Sequence, residues 1–122
     1  MTQEDKQLLL KDLCARLPYF ENWVLYDGKD YLVTGYGHGR VSLLPSMVSS
    51  VGGPCPLVEE VRPYLRPMSS MTMKERGFSE QIYRDEGFWA HFDWLNAHHF
   101  DYRGLIEKGL ALEAPEGMYK TE

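Results

Sequence analysis

Imidazole and carboxylate side chains are concentrated in the last third of the sequence, in the repeated triplets His91-Phe92-Asp93 and His99-Phe100-Asp101. Zinc, iron and manganese take ligands of these types in proteins. A metal-dependent enzyme is therefore one hypothesis for the function. Its candidate ligands are His91, Asp93, His98, His99 and Asp101.

These residues also have an explanation without a metal. Their spacing matches no HExxH motif, and two turns of an unbroken helix would separate the triplets by about 11 Å, too far for one ion. His98 and His99 suit the end of a helix, where the dipole favours positive charge. Asp101 suits the N-cap of a further helix. We therefore predict no cofactor, and keep His91, His98, His99 and Asp101 as the ligands to examine.

Motifs for nucleophilic catalysis or phosphate binding are not found. The glycine-rich residues 35–40 lie between two predicted strands, whereas a phosphate-binding loop precedes a helix. No serine stands in a G-x-S-x-G turn. Cys55 would pair with His38 or His91 only if the fold brought them together. No catalytic residue is predicted, and the sequence favours a protein that is not an enzyme.

Basic and aromatic residues alternate in two short segments. Arg62, Tyr64 and Arg66 form a pattern that would suit stacking on a single-stranded nucleic acid. The net charge of −5 argues against general binding to a phosphate backbone, because such binding relies on lysine and arginine. A nucleic-acid-associated protein stays as an alternative function. The predicted interaction residues are Tyr64, Arg66, Tyr102 and Arg103.

The composition is that of a folded domain. Of the 122 residues, 43% are hydrophobic and 13% aromatic, which supplies a core without disulfide or metal. Aromatic residues are also the types that binding surfaces use. No signal peptide or apolar span is recognisable. We therefore predict a cytoplasmic protein that does not enter a membrane, with Cys14 and Cys55 reduced.

The pattern of the first half predicts a helix followed by strands. Leucines at helical spacing indicate a helix at residues 3–16, begun by Thr2 and ended before Pro18. Strand-forming residues and the hairpin signal Asp27-Gly28 indicate a β-meander at residues 22–61. The fold class is therefore α+β, with a small antiparallel meander or partly closed barrel of roughly three to five strands.

The second half is predicted to pack helices on this sheet within a single domain, residues 1–122. Two prolines make residues 62–71 a stiff linker. Thr72 and Glu75 form a capping box at the start of the helical half, residues 72–112.

The main helix of that half is predicted at residues 80–97, weakened at Gly87. It would place Trp89, Phe92 and Leu95 on the sheet. A last short helix would begin after Asp101 and end at Gly109, and a frayed tail would occupy residues 113–122.

Three stretches are similar to a known group of proteins. They are LKDLCARLPY at residues 10–19, VRPYLRPMSSMT at residues 61–72 and DWLNAHHFDYRGLIEKGLALEAP at residues 93–115. Together they resemble small uncharacterised proteins of Bacteroides-type gut bacteria and of their phages or integrated elements. The resemblance implies a bacterial or phage protein found beside mobile DNA, and it brings no activity or catalytic residue with it.

We therefore predict a non-enzymatic accessory protein of a phage or mobile element. It would contact a protein partner, or a second copy of itself, through exposed aromatic residues. A large exposed apolar patch or a two-fold interface would be its structural signature. Burial of every tryptophan and tyrosine in a monomer would contradict it.

Overall fold

The computed structural model describes residues 1–19, 21–45 and 52–121. In chain order, these residues form helix α1 (Gln3–Arg16), strands β1 (Trp23–Tyr26), β2 (Lys29–Gly37), β3 (Arg40–Leu44) and β4 (Arg62–Pro67), helices α2 (Met73–Glu86) and α3 (Phe88–Ala97), and strands β5 (Phe100–Asp101) and β6 (Leu112–Glu113). Single 3-10 turns, Val58–Glu60 and Met68–Ser70, stand on either side of β4.

The strands within the described residues form one open, mixed sheet in the order β3-β2-β1-β4-β5, and β6 also pairs with β4. Strands β1, β2 and β3 are an antiparallel meander. Strand β4 pairs antiparallel with β1 but parallel with β5 and β6. The predicted α+β class is confirmed.

Two tight turns define the meander. Asp27 and Gly28, with φ of 50° and 77°, join β1 to β2, so the predicted hairpin is confirmed. His38 and Gly39, with φ of 53° and 76°, join β2 to β3 in the same way. Positive φ at both central residues matches the twist of the flanking strands, which is why Asp-Gly and His-Gly stand there.

Helix α1 covers one side of the meander. Its start is confirmed, because the Thr2 hydroxyl accepts the Asp5 N–H and the Asp5 carboxylate accepts the Thr2 N–H. Each fully buried aliphatic side chain contributes about 1.5–3 kcal/mol through the hydrophobic effect. The core cluster consists of Leu9, Leu13, Val24, Val41, Leu43, Val58 and Val61.

The prediction of a linker at residues 62–71 is wrong, because β4 occupies Arg62–Pro67. Proline fixes φ at about −65°, which the ends of a strand accommodate, and Pro63 and Pro67 lie near the two ends of β4, where a missing N–H donor costs least. The predicted meander, residues 22–61, therefore does not end in a strand before residue 61, because β4 begins at Arg62. Leu57 makes only a single bridge to Arg40, and a 3-10 turn follows it.

The main helix predicted at residues 80–97 is two helices. The Thr72–Glu75 capping box is confirmed as the start of α2. Gly87 adopts a φ of 90°, which ends α2 and lets α3 begin in a new direction. A residue with a side chain would be strained there.

The chain after Asp101 is less helical and more ordered than predicted. Residues 105–109 form a turn rather than a helix, although Gly109 closes it with a φ of 75° as expected of a C′ glycine. The frayed tail predicted at 113–122 is wrong within the described residues, because Leu112–Glu113 form β6 and Tyr119 is buried.

Candidate functional site

Two of the predicted metal ligands make hydrogen bonds within the helical half of the protein. His91 Nε2 lies 2.6 Å from Ser79 Oγ, a contact that joins α3 to α2. His98 Nδ1 donates to the carbonyl of Trp94 at 2.9 Å, and the two rings stack with centroids 4.3 Å apart. Both imidazoles therefore have structural partners.

The aspartates are likewise engaged elsewhere. The Asp101 carboxylate accepts the backbone N–H groups of Leu105 and Ile106 at 2.9 and 3.0 Å, which starts the following turn. Asp93 is exposed on α3 beside Tyr19. Burial raises the pKa of the Tyr19 phenol, and the Asp93 carboxylate raises it further.

His99 is buried, and its ring contacts a tyrosine. Its ring stacks on Tyr119, with centroids 3.8 Å apart. Burial, and after it the charge of the Arg16 guanidinium, lowers its pKa to about 3, so the ring is neutral. Across residues 1–19, 21–45 and 52–121, no three His, Cys, Asp or Glu side chains are placed to hold a metal ion. The metal hypothesis therefore has no geometric support.

Arg66, which was predicted to face a partner, is buried instead. Its two terminal nitrogens donate to the Glu75 carboxylate, each at 2.7 Å. Its guanidinium also lies 4.2 Å from the centroid of the Phe100 ring. Arg66 is therefore a core residue, and the basic and aromatic pattern around it does not form a surface for nucleic acid.

The other predicted interaction residues are partly buried. The Tyr64 hydroxyl donates to Asp30 at 2.7 Å. Arg103 lies over the Tyr102 ring, 4.6 Å from its centroid, and donates to the Asp12 carboxylate at 2.9 Å. Of these residues, only Tyr102 belongs to the exposed aromatic surface described below.

A second buried ion pair was missed in the sequence. Asp12 is fully buried and accepts two hydrogen bonds from Arg16, at 2.9 and 3.0 Å. Arg16 also donates to the carbonyl of Phe100 at 2.7 Å. The four-residue spacing of Asp12 and Arg16 was the available signal, because residues four apart are neighbours on a helix.

Aromatic rings form a continuous row across α2, α3 and the chain that follows. Tyr83 contacts His91, which neighbours Phe92, with centroid distances of 5.5 and 6.4 Å. Phe92 contacts Phe88 at 4.6 Å, and Phe88 contacts Trp89 at 5.4 Å. Phe92 also contacts Tyr102 at 5.0 Å. We call these six residues the aromatic ridge: Tyr83, Phe88, Trp89, His91, Phe92 and Tyr102.

The ridge is open to solvent at its largest side chains. Trp89 is 78% exposed, and Tyr83 and Phe88 are 54% and 53% exposed. The prediction that Trp89 packs on the sheet is wrong, whereas Leu95 is buried as expected. The reason is Gly87, because the predicted apolar face assumed one helix through residues 80–97. Once the helix restarts at Phe88, Trp89 no longer points to the core.

A shallow groove of about 310 Å³ adjoins the ridge, lined by Ser79, Glu80, Tyr83, Arg84 and His91. The Ser79–His91 contact in this groove combines the residue types of a serine nucleophile and its base. Ser79 is buried, and a serine nucleophile needs an exposed hydroxyl, an orienting group for its histidine and oxyanion donors. The hydrogen bond is therefore a tie between α2 and α3.

No helix within the described residues is long and apolar enough to cross a membrane. Comparisons with protein-family models, with curated proteins and with solved structures give no significant match.

Proposed function

We propose that this protein is a non-enzymatic accessory protein that binds a protein partner through the aromatic ridge. The observation that carries the proposal is the exposure of Trp89 at one end of a row of ring contacts. Tryptophan and tyrosine are the residues that most often dominate binding energy at protein interfaces.

The ring contacts within the ridge make it better suited to binding than an isolated exposed aromatic residue would be. Phe88 is in edge contact with both Trp89 and Phe92, so its ring is held in place before any partner arrives. Ordered side chains lose little conformational entropy on binding, which improves affinity. Met73 is 92% exposed and lies outside the ridge, so it is a natural control.

The proposal includes a cellular setting. The resemblance to small proteins of gut bacteria and their phages supports a role in the bacterial cytoplasm, beside phage or mobile-element functions. The alternative roles draw less support. Arg66 is buried against Glu75, and the His/Asp residues do not converge in the described chain.

Site-specific photo-cross-linking tests the proposal. A photoreactive phenylalanine analogue at position 89 should cross-link one protein in a lysate of the producing cell, and the same analogue at position 73 should not. The captured protein is identified by mass spectrometry, purified and titrated against the intact chain by calorimetry. The proposal is wrong if position 89 captures nothing that position 73 does not.

Substitution then measures the contribution of the ridge. Trp89→Ala should weaken binding of the purified partner by about 30-fold, as expected of an aromatic hot spot. Met73→Ala should leave the affinity within about twofold. Both variants should unfold at the urea concentration of the parent chain, because exposed substitutions change stability by only about 0.5 kcal/mol. Equal affinities for Trp89→Ala and the parent would contradict the proposal.

A further inference from the structure

The first two turns of α3 present an aromatic ring and a carboxylate together. Trp89 and Asp93 are four residues apart on one helix, so their side chains are neighbours on the same face. Trp89 is 78% exposed, and Asp93 is exposed as well. Tyr19 adds a phenol next to the Asp93 carboxylate.

The surroundings of this pair are acidic. Between residues 80 and 93 the chain carries four carboxylates and a single guanidinium. The carboxylates are Glu80, Asp85, Glu86 and Asp93, and all four are exposed. The guanidinium is Arg84, which lies with Glu80 at the groove beside Tyr83, at the other end of the chain of ring contacts from Trp89. The carboxylates closest to Trp89 in the sequence are therefore Asp85, Glu86 and Asp93, without a cation among them.

These carboxylates are not neutralised by the protein itself. Within the described residues, ion pairs are made by the cations Lys6, Arg16, Arg66 and Arg103, and none of these pairs includes a residue between 80 and 93. Arg103, which lies over Tyr102 at the edge of the ridge, is itself paired with Asp12. The ridge therefore offers negative charge beside exposed aromatic faces.

An aromatic face next to a carboxylate attracts a cation in two ways. The π-electrons of an indole attract a guanidinium or ammonium group that lies over the ring, and indole is the best such ring in proteins. A carboxylate beside it pairs with the same charge, and arginine matches both with its planar group.

We propose that the partner presents an arginine or lysine side chain, which lies on the Trp89 indole and pairs with Asp93. This inference rests on the proposed function and names the chemistry of the partner. An anionic lipid surface is disfavoured, because it would be repelled by the exposed carboxylates beside Trp89. A second copy of the chain is disfavoured for the same reason, since two ridges face to face would bring their carboxylates together.

The inference is tested with capped tetra-arginine, using capped tetra-citrulline as the uncharged isostere. In ¹H–¹⁵N NMR spectra, tetra-arginine should shift the indole N–H signal of Trp89, which Trp89→Phe identifies among the three tryptophans. Tetra-citrulline should bind at least threefold more weakly, and binding should weaken as NaCl is added. Equal shifts with both peptides, or shifts away from Trp89, would overturn the inference.

Charge removal gives the second arm. Asp93→Asn should weaken tetra-arginine binding by about threefold to fivefold, the upper part of the range for one exposed ion pair. Glu107→Gln, an exposed acidic residue outside the ridge, should not change it. The same variants are then titrated with the purified cross-linked partner. If Trp89→Ala weakens the partner but Asp93→Asn does not, the proposed function stands and the cation inference fails. If neither variant weakens it, both fail.

Discussion

Arg66 and Glu75 form a bidentate ion pair inside the protein, with both N–O distances at 2.7 Å. The pair joins β4 to the first turn of α2. The same Glu75 carboxylate accepts the backbone N–H of Thr72 at 3.0 Å, so one side chain both caps the helix and fixes it to the sheet. This anchor sets where α2 begins, and α2 carries Tyr83 of the aromatic ridge.

Removing the charge of Glu75 should destabilise the fold strongly. Glu75→Gln leaves the buried Arg66 guanidinium without a counter-charge, and breaking a buried pair in this way costs about 3–5 kcal/mol. Urea denaturation followed by circular dichroism measures the loss. Glu80→Gln, on the exposed side of the same helix, should change stability by no more than about 0.5 kcal/mol. Similar midpoints for the two variants would show that the pair is not an anchor.

His99 should make the fold sensitive to acid. Its pKa is lowered to about 3 in the folded chain, first by burial and then by Arg16, from an ordinary value of 6.5. Between these values the unfolded chain binds the extra proton, so the contribution of neutral His99 is complete above pH 6.5 and is lost as the pH falls toward 3. The slope is about 1.4 kcal/mol per pH unit within that window.

A non-titrating ring isolates this effect. His99→Phe keeps an aromatic ring to stack on Tyr119 and should flatten the decline of unfolding free energy between pH 6 and pH 4. His98→Gln, at a half-buried neighbour, should leave the decline in place. Parallel curves for the parent chain and His99→Phe would rule out His99 as the source.

The hydroxyl of Tyr119 should contribute measurably to the free energy of unfolding. It accepts the backbone N–H of Trp23 at 3.0 Å and donates to the carbonyl of Tyr64 at 2.9 Å. Tyr119→Phe removes the hydroxyl and leaves both backbone groups without this partner. The free energy of unfolding should fall by about 1–3 kcal/mol, the range for leaving a buried backbone group unpaired. Thermal unfolding tests this, with Tyr83→Phe at an exposed tyrosine as the comparison. Equal melting temperatures would contradict it.

Local signals in the sequence predicted the ends and turns of the elements well. The Thr2 and Thr72 capping boxes and the Asp27-Gly28 hairpin each depend on residues within four positions of one another. Interactions of that kind are encoded locally, so the sequence reveals them without any knowledge of the fold.

The pairing of β4 could not be read in the same way. Residues 62–67 have two prolines and no strand-like alternation, yet they pair with β1, β5 and β6. Those pairings join segments far apart in the chain, and no local feature of Arg62–Pro67 predicts them. The burial of Arg66 could not be predicted for a similar reason, because it depends on α2 packing close enough to bring Glu75 against Arg66.

The sequence predicted that aromatic residues would be exposed, but not which ones. Exposed aromatics were expected, but Trp89 was assigned to the core and Tyr64 and Arg66 to the surface. A single glycine decides the difference for Trp89, since Gly87 resets the helical phase. Periodicity is informative only within one unbroken helix, and a cluster of His and Asp residues is informative only if the fold brings them together.

The Tyr119 hydroxyl between Trp23 and Tyr64 also bears on the order of folding. Pairing of β1 and β4 covers only Val24 with Pro63 and Leu25 with Arg62, and beyond it the two backbones are linked through a side chain 96 positions after Trp23. During synthesis this side-chain bridge between the two strands cannot form until residue 119 has left the ribosome. A nascent chain paused before that residue would leave the Trp23 N–H and the Tyr64 carbonyl without this partner, and unpaired backbone groups on a strand are the kind of surface to which chaperones and aggregating neighbours bind.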